Sequence, residues 1–255
     1  MENKKQLLKK YFKTVPNIAI AYSGGIDSTL LLHMAKKYGT QIKAYYVKSI
    51  FQTEEEVLKA EKTAKELNAQ IDIIKVEVEK EKNIMQNGEN RCYLCKKIIF
   101  TTIKEHAAKD GYTHIIDGTN ASDNPQTRPG MKALTELGIF SPFAELGITK
   151  KEIREIAKSE NLTNWNRPSN SCTATRILTA TQITKELLSK TVKAESEIQK
   201  LGYKEIRIKN DGEKANLQIS EKETQKAKVE KAQLITILEK YYKTAQIDNE
   251  PRKSE

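Results

Sequence analysis

Three groups of residues carry types and spacings that could do chemistry. The first is the hexapeptide Ser23-Gly24-Gly25-Ile26-Asp27-Ser28, entered from an apolar run and left straight into a helical pattern. Paired glycines let a backbone approach a ligand and bend where a Cβ would forbid it. N–H groups at the following helix start, with the positive end of its dipole, make an anion site, and Ser23 and Ser28 add hydroxyls. Asp27 is out of place beside an anion unless a cation binds with it, so the pattern points to a pyrophosphate carrying Mg²⁺. The loop lacks the Gly-Lys-Ser/Thr ending of a Walker loop and is not a dinucleotide fingerprint. An ordinary strand–turn–helix with an Asp/Ser cap is the bland reading of the same residues.

The second group is the cysteines. Cys92 and Cys95, in 90-NRCYLCKK-97, are three apart at the start of a predicted helix, so both thiols face one way; Cys172 follows 77 residues after Cys95. This is the spacing at which two thiolates reach one metal, and recruiting Cys172 leaves one coordination position open. A zinc site completed by His106 or His114 and an iron–sulfur cluster with one open iron both fit; a redox dithiol lacks its usual context. Cys172 has Ser, Asn, Thr and Arg neighbours, which argues against a small buried hydrophobe. Lys96 and Lys97 would favour the thiolate form of the pair. The third group is basic. Arg128, Arg176, Arg207 and Lys209 are candidates to hold anionic parts of a substrate or of AMP, since guanidinium forks suit phosphate. For each alone a solvated surface is the ordinary reading.

The elements that must position these groups alternate. Strands are expected over Asn17–Tyr22, Gln41–Val47, Ile71–Val78 and His114–Asp117, with helices over 4–13, 28–38, 54–67 and 92–110 between them. That order predicts successive βαβ units, hence an α/β fold with a parallel twisted sheet covered by helices on both faces. Ligands of such sheets sit beyond the carboxyl ends of the strands. The two most polar strand ends are Tyr22-Ser23 and Asp117-Gly118, which makes Asp117 a second candidate Mg²⁺ ligand. Helices are expected over 131–138 and 149–160, the latter with Thr149 as N-cap and Glu152 at the capping-box position. A polar segment spans Leu162–Thr175. Beyond about residue 179 the pattern becomes a small α+β domain: a helix over 181–200, strands over 203–209 and 215–219, a helix over 221–243 and a frayed tail from Asp248. The expected division is therefore 1–178 and 179–255.

Composition bounds the function. The 255 residues hold 38% hydrophobic and 31% charged side chains, which suits a folded soluble chain and excludes a disordered one. No apolar run approaches the roughly 20 residues of a membrane helix, and the basic start lacks a signal peptide's apolar stretch. With three cysteines, no disulfide framework is expected; the reading is a reducing, cytoplasmic setting. The net charge of +10 suits an anionic partner, but much of it lies on mixed Lys/Glu helix faces.

The strand followed by S-G-G-x-D-S resembles the PP-loop of the N-type ATP pyrophosphatases. That resemblance implies a HUP/Rossmann-like domain and ATP bound through Ser23, Gly24, Gly25, Asp27, Ser28, Asp117 and Gly118. A substrate oxygen would attack the α-phosphorus, releasing pyrophosphate. The wider stretches D-G-T-N (117–120), R-P-G (128–130), S-P-F-x-E-L-G-I-T-K (141–150) and R-P-S-x-x-C-x-x-x-R (167–176) are similar to the LarE family over roughly residues 10–220. Those are ATP-dependent sulfur transferases that mature the nickel-pincer cofactor of lactate racemase. The similarity implies adenylation of a nicotinate-derived pyridinium carboxylate, then displacement of AMP by sulfur. Some members sacrifice one cysteine, at the position of Cys172. Members with C-x-x-C and a later Cys bind a 4Fe–4S cluster carrying an extra sulfide, which makes Cys92, Cys95 and Cys172 the implied ligands. Cys172, Asp27 and Arg176 are the residues expected at the reacting atoms. Arg207 and Lys209, with Arg128, match basic residues that hold substrate phosphate. The usual A-R-I-E strand is replaced by 215-ANLQI-219, with Asn216 and Gln218 in place of Arg and Glu. Implied partners are a small-molecule substrate, a sulfide or other sulfur donor, and further copies of the chain. PP-loop thiolases acting on tRNA are the alternative, and only there would nucleic acid be the partner.

Overall fold

The computed structural model describes residues 2–39, 41–126 and 128–252. They group into two compact units, one of Met1–Lys80 with Cys92–Arg167, the other of Glu81–Arg91 with Pro168–Glu255.

The first unit opens with helix α1 (Glu2–Thr14), strand β1 (Ile18–Ala21), α2 (Ile26–Tyr38), β2 (Ile42–Lys48), α3 (Glu54–Glu66) and β3 (Ile71–Lys75). A short helix α4 (Lys82–Met85) belongs to the second unit. There follow α5 (Arg91–Lys109), β4 (His114–Ile116), α6 (Gly130–Leu137), α7 (Pro142–Glu145) and α8 (Lys150–Ser159). The four strands form a parallel sheet in the order β3-β2-β1-β4. Side chains alternate across it, as the pleat requires. Ile18 and Ile20 of β1, with Ala44 and Tyr46 of β2, join one core with α1, α2, α3 and α8 residues. Ala19 and Tyr45 point into a second core with Phe100, Ile103 and Ala107 of α5 and Leu134 of α6. The parallel sheet with helices on both faces is thus as the alternation of elements predicts. Central β1 is buried along nearly its whole length, whereas edge strand β3 is largely exposed.

The second unit adds α9 (Lys185–Lys200), β5 (Ile206–Asn210), β6 (Lys214–Ile219), α10 (Thr224–Val229), α11 (Lys231–Glu239) and β7 (Thr244–Ile247). β6 is central, antiparallel to β5 and parallel to β7. Ile206, Ile208, Leu217 and Ile219 pack beneath α9 and α11.

Here several sequence expectations are corrected. The helix expected from 181 starts at Lys185, capped by Thr184, because Ala180 holds a left-handed φ of 66° that a helix cannot include. The single helix over 221–243 is a 3₁₀ turn and two helices broken at Glu230, followed by an unforeseen strand. The tail from Asp248 is paired up to Arg252. Asp248 N–H donates to the Leu217 carbonyl at 2.9 Å and Arg252 N–H to that of Ile219 at 2.8 Å. β6 would otherwise present an open edge, and this pairing covers it. The third strand ends at Lys75, three residues short of expectation, and Val78–Lys80 turns as a 3₁₀ helix.

Candidate functional site

In the first unit the buried strand β1 ends at Tyr22, and the glycine turn then reaches solvent at Ser23 and Gly25. The two serines brace the turn. Ser23 N–H donates to Ser28 Oγ at 3.1 Å, Ser28 Oγ–H donates to the Gly25 carbonyl at 3.1 Å, and the two hydroxyls lie 3.1 Å apart. Gly24 has φ 74°, and a Cβ there would stand 2.7 Å from Cβ and 2.9 Å from Cα of Ala60 in α3. The position therefore demands glycine for its backbone angle and for its neighbour. Helix α2 starts at Gly25 with no side-chain cap, while α3 and α8 start with complete capping boxes. The first turn of α2 is thus left to an anion. This cradle suits the pyrophosphate that the sequence expects.

The strand end at β4 packs onto that turn: a Cβ on Gly118 would lie 3.0 Å from Asp27 Cβ and 3.2 Å from Ser28 N. Asp117 is buried and committed to its own loop. It accepts from Thr119 Oγ1 at 2.6 Å, from Thr119 N–H at 3.2 Å and from Ser141 Oγ at 2.6 Å. Asp27 faces a residue the sequence reading did not single out. Lys150 Nζ donates to both of its carboxylate oxygens, at 2.7 and 2.6 Å. Burial pushes the Asp27 carboxyl above its ordinary range, the Lys150 ammonium pulls against this, and the charge of Asp123 adds to the rise. An oxygen-only carboxylate beside phosphate oxygens fits the hard Mg²⁺ ion that a PP-loop implies. The signal for Lys150 lay in the motif ending I-T-K, where the capping box of Thr149 and Glu152 sets the start of α8. Arg128 is exposed and pairs with Asp123 at 2.8 Å.

Cys92 and Cys95 lie one turn apart in α5 as half-buried thiols. The R-P-G loop packs on the same helix: the Lys96 stem crosses Gly130, and Tyr93 donates its hydroxyl to Glu136 at 2.7 Å. Lys97 is drawn to Tyr93 and Glu136 rather than to a thiol. Neither histidine considered for a zinc site is placed for one. His106 lies 11 residues beyond Cys95 on one helix, about 16 Å along its axis. His114 starts β4, bonds Tyr11 at 2.8 Å and stacks on Phe140. Among the described residues, neither unit by itself gathers three or more His, Cys, Asp or Glu as a metal site.

In the second unit Cys172 precedes a 3₁₀ turn, Thr173–Arg176, as a half-buried thiol. Arg176 is buried and spends its guanidinium on this loop: on the carbonyls of Ser171 and Cys172, on Asn170 Oδ1 at 2.9 Å, and on Glu195 at 3.1 Å. Lys209 Nζ donates to the Thr175 carbonyl at 2.5 Å. Burial, with the like charges of Arg207, Arg176, Arg91 and Arg252, pulls the Lys209 ammonium below its ordinary range. So Arg176, Arg207 and Lys209 are brought together, and Arg91 and Arg252 join them unforeseen. Arg91 holds the Ala174 carbonyl at 2.8 Å, and Arg252 lies 3.4 Å from that of Ser169. One carboxylate among these cations, Glu195, does not balance them, and an anionic ligand would. The substituted residues of β6 have a task of their own: Asn216 and Gln218 both donate to Asp248 Oδ2, each at 3.1 Å. No local signal marks Glu195, which sits in an ordinary Lys/Glu helix pattern.

A parallel α/β sheet whose central strand runs into an uncapped, serine-braced glycine turn is the architecture of an enzyme that handles nucleotide phosphates. This chain belongs to the PP-loop domain family, whose family model matches residues 1–187. It is 32% identical over 226 residues to an uncharacterized protein of Synechocystis, covering 88% of this chain and 84% of that one. It is 35% identical over 206 residues to an uncharacterized protein of Methanocaldococcus jannaschii, covering 81% and 78%. It is 29% identical over 223 residues to the pyridinium-3,5-bisthiocarboxylic acid mononucleotide synthase of Lactiplantibacillus plantarum, covering 87% of this chain and 81% of that enzyme. Among the described residues no helix is long and apolar enough to cross a membrane.

Proposed function

We propose that this protein is an ATP-dependent sulfur transferase that adenylates the carboxylate of a pyridine mononucleotide and replaces the activated oxygen with sulfur. The observation that carries this reading is the Cys172 loop of the second unit, a thiol-bearing turn whose carbonyls are held by Arg176, Arg91 and Lys209. A thiol within a group of cations suits sulfur chemistry on an anionic acceptor. The likeness to a synthase named for a bisthiocarboxylic acid mononucleotide supplies the acceptor class and a phosphate for Arg207 and Lys209.

In this reading a carboxylate oxygen attacks the α-phosphorus of ATP. The bond to the β-phosphate oxygen breaks, and pyrophosphate leaves on the Ser23–Ser28 turn. The turn contributes positioning and charge stabilisation, which is most of what phosphoryl transfer asks of a protein. Asp27 holds Mg²⁺ against the leaving group. A sulfur nucleophile then attacks the acyl carbon, and AMP departs with the former carboxylate oxygen, so one hard substitution becomes two easier ones.

Cys92, Cys95 and Cys172 are assigned as holders of a 4Fe–4S cluster. The donor set, thiols only and with both zinc-candidate histidines engaged elsewhere, fits iron–sulfur better than a closed zinc site. When bound, such a cluster would supply an open iron for the sulfur to be transferred.

The test is anaerobic turnover with ATP, Mg²⁺ and a pyridine-carboxylate mononucleotide. Equal yields of AMP and pyrophosphate, with a thiocarboxylate seen by mass spectrometry, are expected. Each of C92A, C95A and C172A should lose iron, sulfide and the thiocarboxylate while still releasing pyrophosphate. Thiolation of tRNA, or adenylation without sulfur entering any pyridine carboxylate, would overturn the reading.

A further inference from the structure

Asp27 is a half-buried carboxylate whose two oxygens are both taken by one ammonium. Lys150 Nζ lies 2.7 Å from Oδ1 and 2.6 Å from Oδ2, and the two side chains are 19% and 23% exposed. The lysine is fixed at its root and mobile at its tip. Its backbone N–H donates to Ser122 Oγ at 3.0 Å, and the Thr149–Glu152 capping box fixes the turn from which it springs. A four-carbon stem then lets the ammonium swing. Asp123 is the nearest further carboxylate felt by Asp27, and Arg128 already pairs with it; Arg154 is the other cation felt there. Asp27 therefore always needs a cation, and its present one blocks another. Mg²⁺ requires close oxygen ligands in near-octahedral order and gives up water reluctantly. A dication a few ångströms from a retained ammonium would also be repelled by it. The triphosphate of ATP, seated on the uncapped start of α2, changes the balance: it draws the ammonium onto its oxygens and leaves both Asp27 oxygens to the metal.

We propose that Lys150 is the resident counter-ion of Asp27 and an exchange partner for the nucleotide, so that the divalent metal enters this loop with ATP and not before it. The inference rests on ATP binding by the PP-loop and is independent of the sulfur acceptor. Lys150 is thereby a positioning residue that trades a carboxylate for a phosphate within one lysine's reach.

The test uses the full chain and Mn²⁺ as the probe, read by electron paramagnetic resonance at mildly alkaline pH without nucleotide. Wild type should leave Mn²⁺ free, K150M should bind one ion about tenfold more tightly or better, and D27N/K150M should lose that gain. Calorimetry with ATP in chelator should show binding by wild type and a loss of about tenfold or more in K150M. K150R keeps the pair and should behave as wild type, and K150Q stands in for K150M should the latter fail to fold. Nucleotide-free Mn²⁺ binding by wild type that D27N removes would overturn the proposal, as would an unchanged Mn²⁺ affinity in K150M and K150Q. If wild type binds no ATP even with Mg²⁺, the PP-loop reading falls with it. If ATP and Mg²⁺ bind while the lysine variants change nothing, the exchange alone is refuted.

Discussion

Arg176 Nε and Glu195 Oε1 meet at 3.1 Å in a buried ion pair that ties the Cys172 loop to helix α9. The same Glu195 oxygen accepts from the Ile208 N–H of β5 at 2.9 Å, so one carboxylate joins loop, helix and strand. Arg176 is thus a builder of the loop, its donors facing carbonyls of its own neighbourhood. Removing it leaves Glu195 charged and buried. R176M should lose about 3–5 kcal/mol in urea unfolding, and R176K less, since it keeps the charge but not the fork. With Cys92 and Cys95 changed to Ala, alkylation of the remaining thiol should quicken in R176M. An unchanged rate would place the guanidinium outside the control of Cys172.

Gly24 and Ala60 provide a steric test of the phosphate turn. G24A meets a Cβ at 2.7 Å and a Cα at 2.9 Å, and its φ of 74° is costly for alanine. A loss of about 2 kcal/mol or more is expected in thermal unfolding, with pyrophosphate release falling alongside. A60G in the same chain should recover part of this, leaving about 1–2 kcal/mol of backbone cost. Full recovery would mean that the positive φ is not required.

Thr149 caps α8 and so sets the root of Lys150. T149A removes the acceptor of Glu152 N–H and should cost about 1 kcal/mol in chemical unfolding. ATP affinity should weaken with it, because the lysine loses its fixed origin. Lost stability with unaltered nucleotide affinity would separate the cap from the site.

Glu160, at the end of α8, is gripped by Lys5, by His33 at 2.7 Å and by Lys37 at 2.7 Å. Burial pushes its carboxyl up, but the bonds from Lys37, Lys5 and His33 outweigh this and bring it down to about 2. A depressed carboxylate stabilises the fold above its unfolded range and ceases to do so as pH falls toward the folded value. Wild type should therefore lose on the order of 2 kcal/mol between mildly acidic pH and the region near the folded value. E160Q should be less stable at neutral pH and show a flatter acid limb. Parallel acid limbs for the two proteins would refute the grip.

Much of the first unit was legible because its signals are local. The alternation of β1 and β2 between two cores, the capping box at Thr149 and the strand-to-glycine turn are each written within a few neighbouring residues. The second unit was less so. Nothing near Thr244–Ile247 distinguishes a strand from the end of a charged helix; the open edge of β6, set elsewhere in the chain, makes it one. Ala180 takes a backbone angle that its residue type does not announce.

The residue order alone determined which atoms are available: a glycine turn that can hold phosphates, two thiols one helical turn apart, and basic side chains on alternate positions of β5. Such features depend on spacings of a few residues, where geometry follows from the chain itself. The partners of those atoms were settled only by folding. Lys150 reaches Asp27 across 123 positions, Glu195 claims Arg176, and Asp117 turns into its own loop. Buried charges must find a counterpart, and which one they find depends on which helices the sheet brings together.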